Sequence, residues 1–308
     1  MSGKLDLDLD LDLDLDLDLG TRAGRGRGPR YNTEDYARLT PAMPTVKWPQ
    51  TTYSPNWDPE LRTWGYVHEF IASFGAADPV AAVRALIEAN GSFPIPPAVT
   101  LTQALLQNQV LGVLDASIER ADRALEIIDQ ASGPGALHYW TGMLRIDPSK
   151  ERNTFLLMLV ARRIGEYIAM GLKDIYQMRR PAQVYPLIMP LFDGPDTPSF
   201  PSSHALQAHL ITGVLKLALT PAVAPVFPPP NPLPLPPVAP VVNTAQALDV
   251  LAHRVARNRE IAGVHYGMDS LAGQCAALVC VNQLSTLPGA GSFQALLTAA
   301  TAELAFLA

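Results

Sequence analysis

Over most of this chain the apolar positions recur at the spacing of a helix. In ALQAHLITGVLKLAL, Leu206, Leu210, Ile211, Val214, Leu215 and Ala218 fall close to a helical period. Similar patterning predicts helices over 59–74, 79–90, 99–130, 149–179, 202–219, 243–260, 266–286 and 291–306. Gly/Pro corners (SFPIPP, SGPG, PSFP and LPGAG) separate them. No part of this body shows a run of strand alternation. The expected fold class is all-α, a helical bundle.

Two stretches break the pattern. Residues 5–19 alternate Leu and Asp without interruption, which has the period of a strand, but seven aspartates on one face would repel each other. With the Gly/Arg-rich stretch that follows, residues 1–30 are expected to be a disordered low-complexity tail. The second stretch, PAVAPVFPPPNPLPLPPVAP at 221–240, cannot be helix and is expected to be an extended surface loop. That leaves 31–308 as a single helical domain.

Composition narrows the function classes. The chain has 308 residues, 48% apolar and 17% charged, enough for a sizeable core. A net charge of −6 implies no broad basic surface, which argues against nucleic acid. Cys275 and Cys280 form neither a disulfide framework nor a zinc pattern, and are expected as buried thiols. The uncharged stretches 217–248 and 270–302 are interrupted by prolines and polar residues, so no membrane span is expected. There is no basic segment followed by an apolar one at the start, so a signal peptide is not expected. The expected location is cytoplasmic, with export left open. A homo-oligomer is compatible with all of this.

Candidate chemistry gathers in three places. GLKDIYQMRRP holds Lys173 and Arg180, seven apart and so on one face of the helix expected there, with Pro181 marking its exit. Both also have an ordinary use as cations at a helix C-terminus. In PSFPSSH, Pro201 turns the chain, Ser202 and Ser203 are good helix-start residues, and His204 stands beside the N–H groups of that start, where an anion binds. In NREIAGVHYGMDSLAG, Arg259 is followed by His265 and Asp269. The i, i+4 spacing lets the carboxylate hold Nδ1–H and leave Nε2 electron-rich.

Written with spacings, these are K-x6-RP, PSSH and NR-x5-H-x3-D. In this order they resemble the type 2 phosphatidic acid phosphatase and vanadium haloperoxidase superfamily, whose pattern is K-x6-RP, PSGH and SR-x5-H-x3-D. The resemblance covers about 170–272. Ser203 stands where the family has glycine, and Asn258 where it has serine, a change expected to touch only packing behind the arginine.

The resemblance implies an oxyanion cage of Lys173, Arg180, Ser202, Ser203 and Arg259. It implies that His265 attacks phosphorus, that His204 is the general acid and base, and that Asp269 orients His265. The expected activity is metal-independent hydrolysis of small phosphomonoesters through a phosphohistidine, with no cofactor. In the family's other branch the same cage holds vanadate, with His265 as its ligand, and hydrogen peroxide oxidises halide. Thr197 and Met170 stand where peroxidases often carry aromatic or histidine side chains, which favours the phosphatase. A non-catalytic phosphate-binding relative is the third alternative.

Overall fold

Seventeen residues, Ser203–Leu219, form the helix on which the others are arranged. In the computed structural model it is buried on nearly every side, by Ala205, Leu206, Leu210, Ile211, Val214 and Leu215 among others. A helix apolar all round belongs inside a bundle, not at its surface. The structure describes residues 57–89, 103–131, 135–219, 243–289 and 291–307. The expected tail at 1–30 and the Pro-rich stretch at 221–240 lie outside them.

In chain order the helices are α1 (Pro59–Ala72), α2 (Pro79–Ala89), α3 (Gln103–Ala116), α4 (Arg120–Ala131), α5 (Leu137–Leu144), α6 (Arg152–Tyr176), the single turn α7 (Pro181–Val184), α8 (Ser203–Leu219), α9 (Thr244–Ala262), α10 (Gly267–Ser285) and α11 (Ser292–Glu303). No strand occurs among the described residues, and the fold is all-α. Helices α6, α9 and α10 pack directly on α8, while α1 and α11 cover α6. The larger of two apolar clusters among the described residues runs from Val67 to Leu304, and the smaller joins Ala116, Ile127, Ile261, Ala262 and Val264. No helix among the described residues is long and apolar enough to cross a membrane. Cys275 and Cys280 are buried thiols on α10, as expected.

Three differences from the sequence reading matter. The expected helix 99–130 is broken by a 3-10 turn at Ser117–Glu119. There Ser117 Oγ donates back to the Leu114 carbonyl at 2.6 Å, and Arg120 reaches across to the Ile261 carbonyl at 2.6 Å. Next, α6 stops at Tyr176, with Gln177 in the left-handed region, so Arg180 is not on the helix face that carries Lys173. Pro181 excludes helical backbone at Arg180, which is extended and caps α7 instead. Last, α5 was not predicted at all. Eight residues repeat too few times for a period to show.

Two glycines set the site end of the bundle. Gly263 closes α9 at φ 85°, and a Cβ there would lie 2.6 Å from the Arg120 guanidinium. Gly273 brings α10 onto the opening turn of α8: its Cβ would meet the Ser202 carbonyl oxygen at 2.7 Å and the Leu206 nitrogen at 2.9 Å. Backbone atoms cannot swing away as a side-chain tip can. Gly273→Ala is therefore expected to destabilise the fold by about 1–3 kcal/mol. Thermal unfolding followed by circular dichroism checks this; an unchanged midpoint would show that α10 does not sit so close.

Candidate active site

Three cations meet at one end of the bundle. Lys173, in the last turn of α6, is 1% exposed, and its Nζ donates to the Pro198 carbonyl. Arg180 spends Nε on the Thr197 carbonyl and Nη2 on Thr197 Oγ1, both at 2.9 Å, and Nη1 on the Val264 carbonyl at 3.0 Å. Arg259, near the end of α9, is 1% exposed and donates Nη2 to the Ile127 carbonyl at 2.8 Å. Its guanidinium lies over the Phe192 ring. Burial brings Arg259 down to about 10, so it stays charged at neutral pH. Its Nε and Nη1 have no protein partner.

His265 lies one residue before the cap of α10, so its i, i+4 spacing to Asp269 does not run along one helix. The contact forms all the same, because Asp269 turns back over the helix start. Asp269 Oδ2 accepts from His265 Nδ1 at 3.1 Å, the Tyr266 N–H at 2.9 Å and Ser199 Oγ at 2.5 Å. On the other side of the ring, Arg180 Nη1 stands 3.3 Å from Nε2. Arginine can only donate and a carboxylate only accept, so the proton belongs on Nδ1 and the lone pair on Nε2. Burial first, then Arg180, Lys173 and Arg259, hold His265 well below the usual histidine value. Burial pushes Asp269 up, and its hydrogen bonds and the same cations oppose this.

The PSSH corner opens a helix as expected. Ser202 N–H donates to the Asp269 carbonyl at 3.1 Å, which ties the opening of α8 to that of α10. Ser202 Oγ accepts from the Ala205 N–H at 3.4 Å, and Ser203 Oγ has no protein partner. His204 is half-buried, but its Nε2 is shut off from solvent and has no protein partner either. Burial, Arg259, His265, Lys173 and Arg180, in that order, hold His204 well below the usual histidine value. All eight residues singled out in the sequence are thus at this end of the fold. The other described histidines are elsewhere: His68 is exposed, His138 binds Asp129, and His209 stacks edge-on against His253.

Several contributors were missed. Ser199, a member of the serine-rich corner, was the most legible. Thr197, noted only as a departure from the peroxidases, grips Arg180 twice. Gln130 accepts from Arg259 at 3.3 Å and from Asn258 Nδ2 at 2.8 Å, so Asn258 does more than pack. The Ile127 carbonyl, also on α4, completes that support. Some 130 residues separate α4 from Arg259, and no local pattern links them.

Residues 154–289 match the PAP2 superfamily. This match supports the resemblance carried by the three motifs. The matched span runs from the start of α6 to just beyond α10 and contains all three motifs, whereas α4, which braces Arg259, precedes it. No curated protein matches the chain.

The charge arrangement has a measurable sign. Burial and then three cations depress the histidines, so a bound anion that offsets the cations should raise both values and draw protons onto the protein. Sulfate is a suitable probe because it does not itself titrate near neutrality. At pH 6.5, calorimetry in buffers of different ionisation enthalpy should show net proton uptake on sulfate binding, reduced in His204→Gln. Proton release would contradict the arrangement.

Proposed function

We propose that the chain is a phosphatase that hydrolyses small phosphomonoesters through a phosphohistidine, without a metal. The observation that carries this is His265 held between Asp269 and Arg180, a neutral imidazole whose Nε2 lone pair faces the cationic end of the bundle. The match of residues 154–289 to the PAP2 superfamily supports phosphatase-type chemistry.

In this proposal the phosphoryl oxygens bind among Lys173, Arg180 and Arg259, with Ser202, Ser203 and the N–H groups opening α8 as further donors. Arg259 Nε and Nη1 and Ser203 Oγ are unpartnered buried donors, which suits a tetrahedral oxyanion. His265 Nε2 attacks phosphorus, an N–P bond forms, and the P–O bond to the alcohol breaks. His204, protonated once the anion offsets the cations, gives its proton to the leaving oxygen. It then takes a proton from water, whose oxygen attacks phosphorus and releases His265 and inorganic phosphate. Asp269 keeps the Nδ1 proton in place throughout, and the guanidinium groups stabilise the developing charge.

The same donors also fit vanadate, which when bound would supply peroxide activation for halide oxidation. Thr197 and Met170 weigh toward the phosphatase. Purified protein should hydrolyse p-nitrophenyl phosphate without added metal, and vanadate should inhibit it. Halide oxidation in the presence of vanadate and peroxide, without hydrolysis, would reverse the choice, and neither activity would leave an anion-binding protein.

The two histidines give a sharper test. His265→Ala should abolish hydrolysis, because no phosphoenzyme can form. His204→Ala should lose about 10²–10⁴-fold on alkyl phosphates. Its loss should be much smaller on p-nitrophenyl phosphate, whose leaving group needs little protonation. Equal losses on both substrates would remove His204 as the acid.

A further inference from the structure

A small cavity of about 20 Å³ adjoins His204. It touches the candidate acid and is lined by none of Lys173, Arg180, Arg259 or His265. Its walls are apolar, chiefly Leu137, Trp140, Ile211 and Val255, with two polar side chains, Arg162 and Gln207. Gln207 is 5% exposed, and its Nε2 has no protein partner. A buried amide donor without a partner is costly, so one that persists beside a cavity points to a guest that accepts from it. Arg162 already donates Nη2 to Glu60 at 2.5 Å, so its charge is answered.

The position decides which guest. In-line transfer puts the leaving oxygen opposite the nucleophile, against the acid, and this cavity borders His204 but none of the three cations. His204 and Gln207 are three residues apart on α8, a separation of about 5–6 Å between Cβ atoms. A volume of about 20 Å³ admits only the end of a chain.

We propose that the cavity takes the tip of the leaving group, and that the preferred substrate is the phosphate of a short alcohol bearing a second, neutral oxygen about three carbons from the ester oxygen. That oxygen accepts from Gln207 Nε2, while Leu137, Trp140 and Val255 line the apolar walls around the tip. This rests on the phosphatase reading of the same site.

The test is calorimetric binding of 4-hydroxybutylphosphonate and butylphosphonate to the full chain, with inorganic phosphate as the third ligand. The phosphonates carry a methylene in place of the ester oxygen and cannot be hydrolysed. The hydroxylated compound should bind roughly five- to tenfold more tightly, the worth of one buried hydrogen bond. Gln207→Met, which keeps the volume and removes the amide, should erase the difference. Val255→Phe fills the cavity from α9 and should erase it independently, should the first variant fail to fold. Phosphate binding with equal affinity for the two phosphonates would overturn the inference and leave the phosphatase reading standing; the cavity would then hold water. Failure of phosphate and both phosphonates to bind would overturn both.

Discussion

The site end of this bundle is organised by the need to hold Lys173, Arg180 and Arg259 out of water around one point. Burying a cation is expensive unless dipoles or opposite charge surround it. Backbone carbonyls supply much of that setting: Pro198 for Lys173, Thr197 and Val264 for Arg180, and Ile127 for Arg259. A carbonyl fixes a cation in place but carries no net charge to cancel it. Burial first, and then the field that remains, depress His204 and His265 together. An anion bound there would lower the electrostatic cost of the folded state, so affinity and stability are linked.

That one field serves two histidines differently because their hydrogen bonds differ. His265 is clamped on both nitrogens, which settles its tautomer and aims its lone pair. His204 Nε2 has no protein partner, so its protonation can follow whatever lies against it. The link from Ser202 N–H to the Asp269 carbonyl keeps the openings of α8 and α10 in register, and Gly273 lets them approach that closely. The relative position of the two histidines is therefore set by backbone packing and does not depend on long side chains.

Much of this was legible in the sequence for a specific reason. Helical periodicity reports burial, so the long helices could be read nearly to their ends. Motifs confined to a turn carry their own geometry, as PSSH and H-x3-D do. The Lys173–Arg180 spacing shows the limit of such reasoning. Both side chains reach the site, but through a helix end, a left-handed Gln177 and an extended Arg180, and not along one helix face. The support from Gln130 and the Ile127 carbonyl was invisible because it depends on where α4 docks. A backbone carbonyl, moreover, has no residue type by which a sequence could announce it. Helix α5, which supplies Leu137 and Trp140 beside His204, was hidden by its shortness.

The connectivity of α8 and α9 separates chain length from chemistry. His204 stands at the start of α8 and Arg259 in the last turn of α9, so the segment joining Leu219 to Thr244 attaches at the opposite ends of both helices. Fifteen residues of helix lie between His204 and that attachment point, about 22 Å at the usual rise. Additions to this connector enter the fold far from the cationic end. A tether, reporter or surface anchor inserted there would join the fold through the two helix ends farthest from His204 and Arg259.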